Sequence, residues 1–240
     1  MKFELALFDL GGTLISFENN PWDELGMQGC TNGSVYLKET TGVEVAPEIL
    51  WKKLYDSIEN MIAAPTQNLI EVDLKKMVAE TIKSLGVDVT DGIPAKFIEA
   101  YYKPITEQVT LIDGSVEILT KMKKAGMTIG LVSNTVFPPQ YHLDEMERFG
   151  ILEFFDYTLF SADLGIRKPN KDIYKKALDM GGADADKAIF IGDRLIEDVG
   201  GPQSIGIKAV LKYIERRGYT DDIKPYKTID ELHELESIVF

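Results

Sequence analysis

The sequence predicts an α/β protein: a Rossmann-like, doubly wound parallel sheet with an all-helical cap domain inserted after the first strand. Three observations carry this expectation. The apolar run Leu5-Ala6-Leu7-Phe8 ends abruptly in Asp9, as a strand covered on both faces does when it reaches the sheet edge. From Asp113 onward helix-like and strand-like patterns alternate, which implies parallel strands joined by right-handed crossovers. Between these regions, residues 17–105 read as helical and hold no strand of comparable quality. The predicted division is a core of residues 1–16 and 106–240 around a cap of residues 17–105.

After the first strand come Gly11 and Gly12, which allow close backbone approach to a bound group and unrestricted turn geometry. Pro21, Gly26, Gly29 and Gly33 interrupt any long periodicity between Asn19 and Thr41. Leu50, Leu54, Ile58, Met61 and Ile62 recur at helical spacing behind Pro47. Ile70, Leu74, Met77, Val78, Ile82 and Leu85 do the same ahead of Gly86. A helix over 94–103 buries Phe97, Ile98 and Tyr101. In the core, Val116, Leu119 and Met122 form a helix face, and residues 127–132 form a strand ending in Ser133-Asn134. Helices near 141–149 and 172–180 flank a strand at 157–160, and the strand 188–191 runs into Gly192-Asp193. A further strand spans 206–211, and the last helix opens with Thr228 and Glu231 in capping-box spacing, turning Leu232, Leu235 and Val239 inward.

Composition narrows the function classes. A chain of 240 residues, 45% hydrophobic and 27% charged, is large enough for one core and an appended subdomain. No apolar run approaches the ~18 to 20 residues that cross a bilayer, and no signal-type leader opens the sequence, so a cytoplasmic location and no membrane partner are expected. The single cysteine, Cys30, fits a reducing compartment and reads as a packing residue. The formal net charge of -13 repels polyanions, which argues against nucleic acid. Lys123-Lys124, Lys175-Lys176 and Arg216-Arg217 read as isolated pairs on solvated faces. Either a monomer or a homodimer is compatible with these features.

Parallel strands bring their carboxyl ends to one edge. Four groups distant in sequence are therefore expected to meet: Asp9 with Thr13, Ser133 with Asn134, Lys168, and Asp193 with Asp198. In this order and at these strand ends, the chain resembles the haloacid dehalogenase superfamily, mainly its phosphatases. Asp9 to Thr13 is similar to the first motif, Ser133-Asn134 to the second, Lys168-Pro169 to the third, and Gly192-Asp193 through Asp198 to the fourth. The helical insertion is similar to the family's small cap.

The resemblance implies hydrolysis of a small phosphorylated metabolite through an aspartyl phosphate on Asp9, with Mg²⁺ as cofactor and cap closure excluding bulk water. Dividing transfer into attack by a carboxylate and hydrolysis of the acyl phosphate makes two easier steps of one difficult one. The implied metal ligands are Asp9, the backbone carbonyl of Gly11, and Asp193, with Asp198 orienting a metal-bound water or Lys168. Gly12, Thr13, Ser133 and Asn134 are implied in phosphate binding, and Lys168 in neutralising Asp9 and the transferring group.

Position 11 departs from the family pattern. The phosphatases usually carry a second aspartate there, which protonates the leaving oxygen, whereas this chain has Gly11. Loss of a positioned acid and base costs about 10² to 10⁴ in rate. Three explanations stand: a substrate with a good leaving group, a proton from Glu18, Asp23 or Lys52 in the cap, or a slow or inactive member that binds phosphate without turnover. Cleavage of carbon to phosphorus or carbon to halogen bonds is the remaining alternative, with Lys38, Lys52 or Lys53 as conceivable imine formers. The presence of both Asp193 and Asp198 favours Mg²⁺ and opposes the dehalogenase reading. His142, His233, Trp22 and Trp51 read as surface or packing residues, while Phe17, Trp22, Tyr101 and the Phe137-Pro138-Pro139 loop are candidates for shaping the pocket.

Overall fold

A computed structural model describes residues 2–55, 57, 69–90, 92–220 and 222–240. The chain divides into two compact units: Met1–Ser16 with Leu69–Glu71 and Thr110–Phe240, and Phe17–Asn68 with Val72–Val109.

The strands all belong to the first unit: β1 (Leu5–Phe8), β2 (Ile15–Ser16), β3 (Thr110–Leu111), β4 (Thr128–Ser133), β5 (Tyr157–Phe160), β6 (Ala188–Gly192), β7 (Lys208–Lys212) and β8 (Lys227–Ile229). Six of them form one sheet in the order β5-β4-β1-β6-β7-β8, and β2 pairs with β3 alone. Every neighbouring pair of the large sheet is parallel, so the predicted fold class stands. The central strands β1 and β6 are buried along their whole length, which explains why they read as unbroken apolar runs. From β1 the chain builds outward through β4 to β5, then returns to the other side of β1 to lay down β6, β7 and β8. The order therefore reverses beside β1, and ligands of open α/β sheets bind at such a reversal.

In the second unit, α1 (Trp22–Thr41), α2 (Leu74–Ser84) and α3 (Ile93–Gln108) are the long helices. Helix α1 is twenty residues long across the glycines expected to interrupt it. Its glycines are notches: a Cβ on Gly29 would stand 2.6 Å from the Tyr101 carbonyl, and one on Gly33 2.5 Å from the Phe97 ring. Close approach of α1 and α3 requires positions without side chains there, and this packing outweighs poor helix propensity. Helix α3 continues past the expected end at 103, through Pro104, to Gln108. Gln108 then caps the start of the unit: its Oε1 accepts from the Asn19 amide at 2.9 Å. Leu50 and Leu54 are buried as expected, whereas Ile58, Met61 and Ile62 lie outside the described residues.

Two further expectations are corrected. Ile70 does not lie on the helix that begins at Leu74, but forms an isolated antiparallel bridge with Ile166 in the first unit. Glu71 is buried beside it and accepts a hydrogen bond from Ser161 Oγ at 2.5 Å. Thr228 lies in β8 and opens no helix. The capping box sits three residues later, between Glu231 and Glu234, at the head of a 3₁₀ turn over Leu232–Leu235. Leu232, Leu235 and Val239 are nonetheless buried, as their spacing predicts. In the first unit α4 (Ser115–Lys124), α5 (Pro139–Arg148) and α6 (Lys171–Gly181) complete the alternating pattern. Among the described residues, no helix is long and apolar enough to cross a membrane.

Candidate active site

The registers of β1, β4 and β6 align Phe8 with both Leu131 and Ile191. Asp9 and Asp193 therefore follow the carboxyl ends of β1 and β6, and Ser133 is the last residue of β4, so the three lie at the ends of adjacent strands at the centre of the sheet. The Asp9 amide donates to the Ile191 carbonyl at 2.9 Å, extending the ladder one residue past β1 and fixing where the carboxylate emerges. The chain then turns tightly, with the Leu14 amide on the Leu10 carbonyl and the Gly12 amide on the Ile15 carbonyl. Gly12 takes the left-handed conformation this turn needs, at φ 79°. Its missing side chain matters as much, because a Cβ there would lie 2.6 Å from Asp193 Oδ2.

Lys168 is the hub. Its ammonium is almost wholly buried and donates to Asp9 Oδ1 at 2.7 Å and to Asp198 Oδ1 at 2.6 Å. Burial opposes the charged form of this lysine, but the carboxylates of Asp198 and Asp9 outweigh it and hold its pKa above the ordinary value. Asn134 positions Lys168 through its backbone: Oδ1 accepts from the Lys168 amide at 2.8 Å and Nδ2 donates to the Lys168 carbonyl at 3.0 Å. The Asn134 side chain is thus engaged with the protein, and only its backbone amide remains as a donor for a ligand. Ser133 is buried at the end of β4, and Thr13 is fully buried with Oγ1 unpaired among the described residues.

Asp198 is held in a tight turn after β6. The Arg194 amide donates to its Oδ2 at 2.9 Å, and its own amide donates to the Arg194 carbonyl at 2.7 Å. A Cβ on Gly192 would collide with this carboxylate. Asp193 is fully buried and accepts from Arg217 Nε at 2.6 Å through Oδ2, while Oδ1 has no hydrogen-bond partner among the described residues. Burial raises the pKa of both aspartates, and the neighbouring Asp9 charge raises it further. Arg217 opposes the shift at Asp193 and Lys168 opposes it at Asp198.

Oxygens of Asp9, Asp193 and Asp198 lie within 4.8 Å of one another. An all-oxygen carboxylate set suits a hard cation such as Mg²⁺, and the unpartnered Asp193 Oδ1 is an acceptor with nothing else to bind. Both Asp198 oxygens are already engaged, so this residue fits an orienting role better than direct ligation. The donor set therefore fits a divalent cation on the Asp9 and Asp193 side.

Arg217 is a departure from the sequence reading, which put Arg216-Arg217 on a solvated face. Its side chain is 17% exposed and ion-paired with Asp193. Tyr219 from the same turn donates its hydroxyl to the Asp193 carbonyl at 2.9 Å. The turn follows β7, the neighbour of β6, so its position after another strand's carboxyl end was a readable signal. Of the cap candidates, Asp23 accepts from the Tyr55 hydroxyl at 2.7 Å, and Lys38 pairs with Glu44 in solvent. Cys30 is buried, and burial pushes its thiol up to about 12, which agrees with a packing role. Trp51 stacks on Tyr55 at 3.9 Å. His142 is buried between Thr135 Oγ1 at 2.7 Å and Glu145 Oε2 at 3.1 Å, as a packing residue that ties the loop after β4 to α5.

A parallel sheet that reverses beside a strand-end aspartate, with a buried lysine bridging two carboxylates there, makes this an open α/β fold with a charged site at its switch point. The chain belongs to the haloacid dehalogenase-like hydrolase family, whose model matches residues 51–212. That match takes in Ser133, Lys168, Asp193 and Asp198. Among relatives, the pyrimidine 5'-nucleotidase YjjG of Escherichia coli is 29% identical over 61% of this chain and 64% of its own length. A glyceraldehyde 3-phosphate phosphatase of Pyrococcus abyssi is 30% identical over 48% of each chain. The chain thus spans about half to two thirds of the length of these relatives. The crystal structure of a phosphatase of this family from Thermococcus onnurineus superposes with a TM-score of 0.67, covering 99% of this chain and 97% of that one at 21% identity, which is a likeness of fold.

Proposed function

We propose that this protein is a Mg²⁺-dependent phosphohydrolase of a small phosphorylated metabolite, with Asp9 as the nucleophile that takes up the phosphoryl group. The observation that carries the proposal is the buried Asp9–Lys168–Asp198 chain of hydrogen bonds beside the unsatisfied oxygen of Asp193. The relatives named above, a nucleotidase and a glyceraldehyde 3-phosphate phosphatase, support a small phosphorylated molecule as the substrate class.

Asp9 attacks phosphorus in line with the leaving oxygen, giving an aspartyl phosphate that water then hydrolyses. Lys168, kept charged by its two carboxylates, holds Asp9 at a fixed position and neutralises charge on the transferring group. Asp198 and Asn134 keep Lys168 in place. The Asn134 backbone amide and the Ser133 hydroxyl bind phosphoryl oxygens; the Gly12 amide is already committed to the Ile15 carbonyl. Asp9, Asp193 and the Gly11 carbonyl would hold Mg²⁺, which would supply Lewis-acid stabilisation of the same charge.

Gly11 brings no proton donor, so the preferred substrates are those whose leaving group departs without one, such as an acyl phosphate. The test is hydrolysis of p-nitrophenyl phosphate in the presence and absence of Mg²⁺, by the wild type and by Asp9→Asn. Turnover that requires Mg²⁺ and disappears in the variant is expected. Equal rates in the two proteins would remove Asp9 as nucleophile.

A further inference from the structure

Phe160, the last residue of β5, is aligned with Ser133 at the end of β4, so Ser161 emerges beside the loop that carries Asn134. Its buried hydroxyl joins that loop to a residue ninety positions away. Oγ accepts from the Thr135 amide at 2.8 Å and donates to Glu71 Oε2 at 2.5 Å. The Thr135 carbonyl is a second acceptor at 3.1 Å, but the hydroxyl has one proton and the carboxylate is the stronger and nearer partner. Glu71 comes from the middle of the insertion. Leu69–Glu71 group with the first unit, whereas the chain before and after them groups with the second. These three residues run antiparallel to residues 165–167, which lead directly into Lys168: Ile70 bridges Ile166, the Glu71 amide donates to the Gly165 carbonyl at 3.0 Å, and the Arg167 amide donates to the Leu69 carbonyl at 3.0 Å. Arg167 Nη1 also lies 3.9 Å from Glu71 Oε1, and both side chains are largely buried. Leu69 has φ 51°, a left-handed conformation that a side chain disfavours and that persists where the surroundings determine it.

We propose that Glu71 is a positioning residue for this site: through Ser161 its carboxylate fixes the loop after β4, and through Arg167 and its own backbone it fixes the segment that delivers Lys168. This rests on the phosphohydrolase reading and adds to it a residue from the inserted stretch, outside the four motifs. The same two stretches of chain are already joined once, by the Asn134 side chain on the Lys168 amide and carbonyl. Glu71 supplies the second joint, on the far side of Ser161. With one joint the two stretches can pivot about Asn134; with two they hold one geometry. Ser133 and Lys168 act on charge that develops as the phosphoryl group moves, and a displacement of about 1 Å in such groups costs on the order of a hundredfold in rate. Loss of the Glu71 carboxylate therefore falls on kcat and leaves KM nearly unchanged.

The experiment is steady-state hydrolysis of p-nitrophenyl phosphate with Mg²⁺ by the full chain, as wild type, Glu71→Ala, Glu71→Gln, Ser161→Ala and the double variant Glu71→Ala with Ser161→Ala, with urea unfolding of each. Glu71→Ala is expected to lower kcat about tenfold to a hundredfold at nearly constant KM. Glu71→Gln keeps an acceptor of the same shape and recovers most of that loss. Ser161→Ala cuts the link from its other end, so the double variant loses no more than the worse of the two single ones. Losses that multiply in the double variant overturn the proposal, as does an unchanged kcat per folded molecule in Glu71→Ala, even where its unfolding midpoint falls. Should Glu71→Ala not fold, an unchanged kcat in Ser161→Ala overturns it instead. A wild type inactive with Mg²⁺ removes the phosphohydrolase reading together with this one, whereas an active wild type matched by the variants removes this one alone.

Discussion

Two adjacent glycines, Gly11 and Gly12, have different reasons to be glycine. The left-handed backbone falls on Gly12, at φ 79°, and a Cβ there would meet Asp193 Oδ2 at 2.6 Å. Gly12→Ala is therefore expected to displace Asp193 and to lower both Mg²⁺ affinity and turnover. Gly11 is not among the residues with positive φ, so the backbone does not forbid a side chain. Gly11→Asp is accordingly expected to raise turnover of alkyl phosphates by more than that of p-nitrophenyl phosphate. A missing general acid limits only poor leaving groups, by about 10² to 10⁴. The ratio of kcat for the two substrates measures it, and the same change for both, or none, would refute the account.

At the scale of elements, what a sequence discloses depends on whether one local pattern decides the outcome. β1, β4 and β6 were legible because burial on both faces forces unbroken apolar runs, and the residues that break those runs, Asp9, Ser133 and Asp193, mark the site edge. Lys168 was found by its place in the order of motifs, whereas its two carboxylate partners follow from the parallel registers. Arg217 was misread because nothing local distinguishes it from Arg216; a turn closed by Gly218 selects which of the two faces Asp193. Helix α1 was illegible for a related reason. Gly26, Gly29 and Gly33 look like interruptions until the aromatic side chains of Tyr55, Tyr101 and Phe97, distant in sequence, are seen to occupy the space beside them. The prediction that follows opposes propensity to packing. Gly33→Ala gains about 1 kcal/mol of helix propensity, but it forces a methyl to 2.5 Å from the Phe97 ring, and overpacking costs about 1 to 3 kcal/mol. The variant is expected to be destabilised in urea unfolding; a net gain in stability would show that α1 and α3 separate without cost.

At the scale of the whole molecule, charge complicates every test of the metal. With 39 acidic and 26 basic side chains, the chain repels itself, so any salt stabilises it to some extent by screening. Specific binding has a different signature. A cation that binds only the folded state adds about 2.7 kcal/mol at a hundredfold excess over its dissociation constant. For a chain of this length that corresponds to about 5 to 10 °C in Tm. Mg²⁺ is expected to raise the Tm of the wild type by this order relative to NaCl of equal ionic strength. Asp193→Asn, which removes the carboxylate charge but retains the shape, is expected to abolish the difference while leaving the response to NaCl intact. Where the two units unfold in separate transitions, only the one belonging to the α/β unit moves, because Asp9, Asp193 and Asp198 all lie within it. A Mg²⁺ shift of the same size in Asp193→Asn would assign the effect to general screening and leave the carboxylate cluster without a cation to hold.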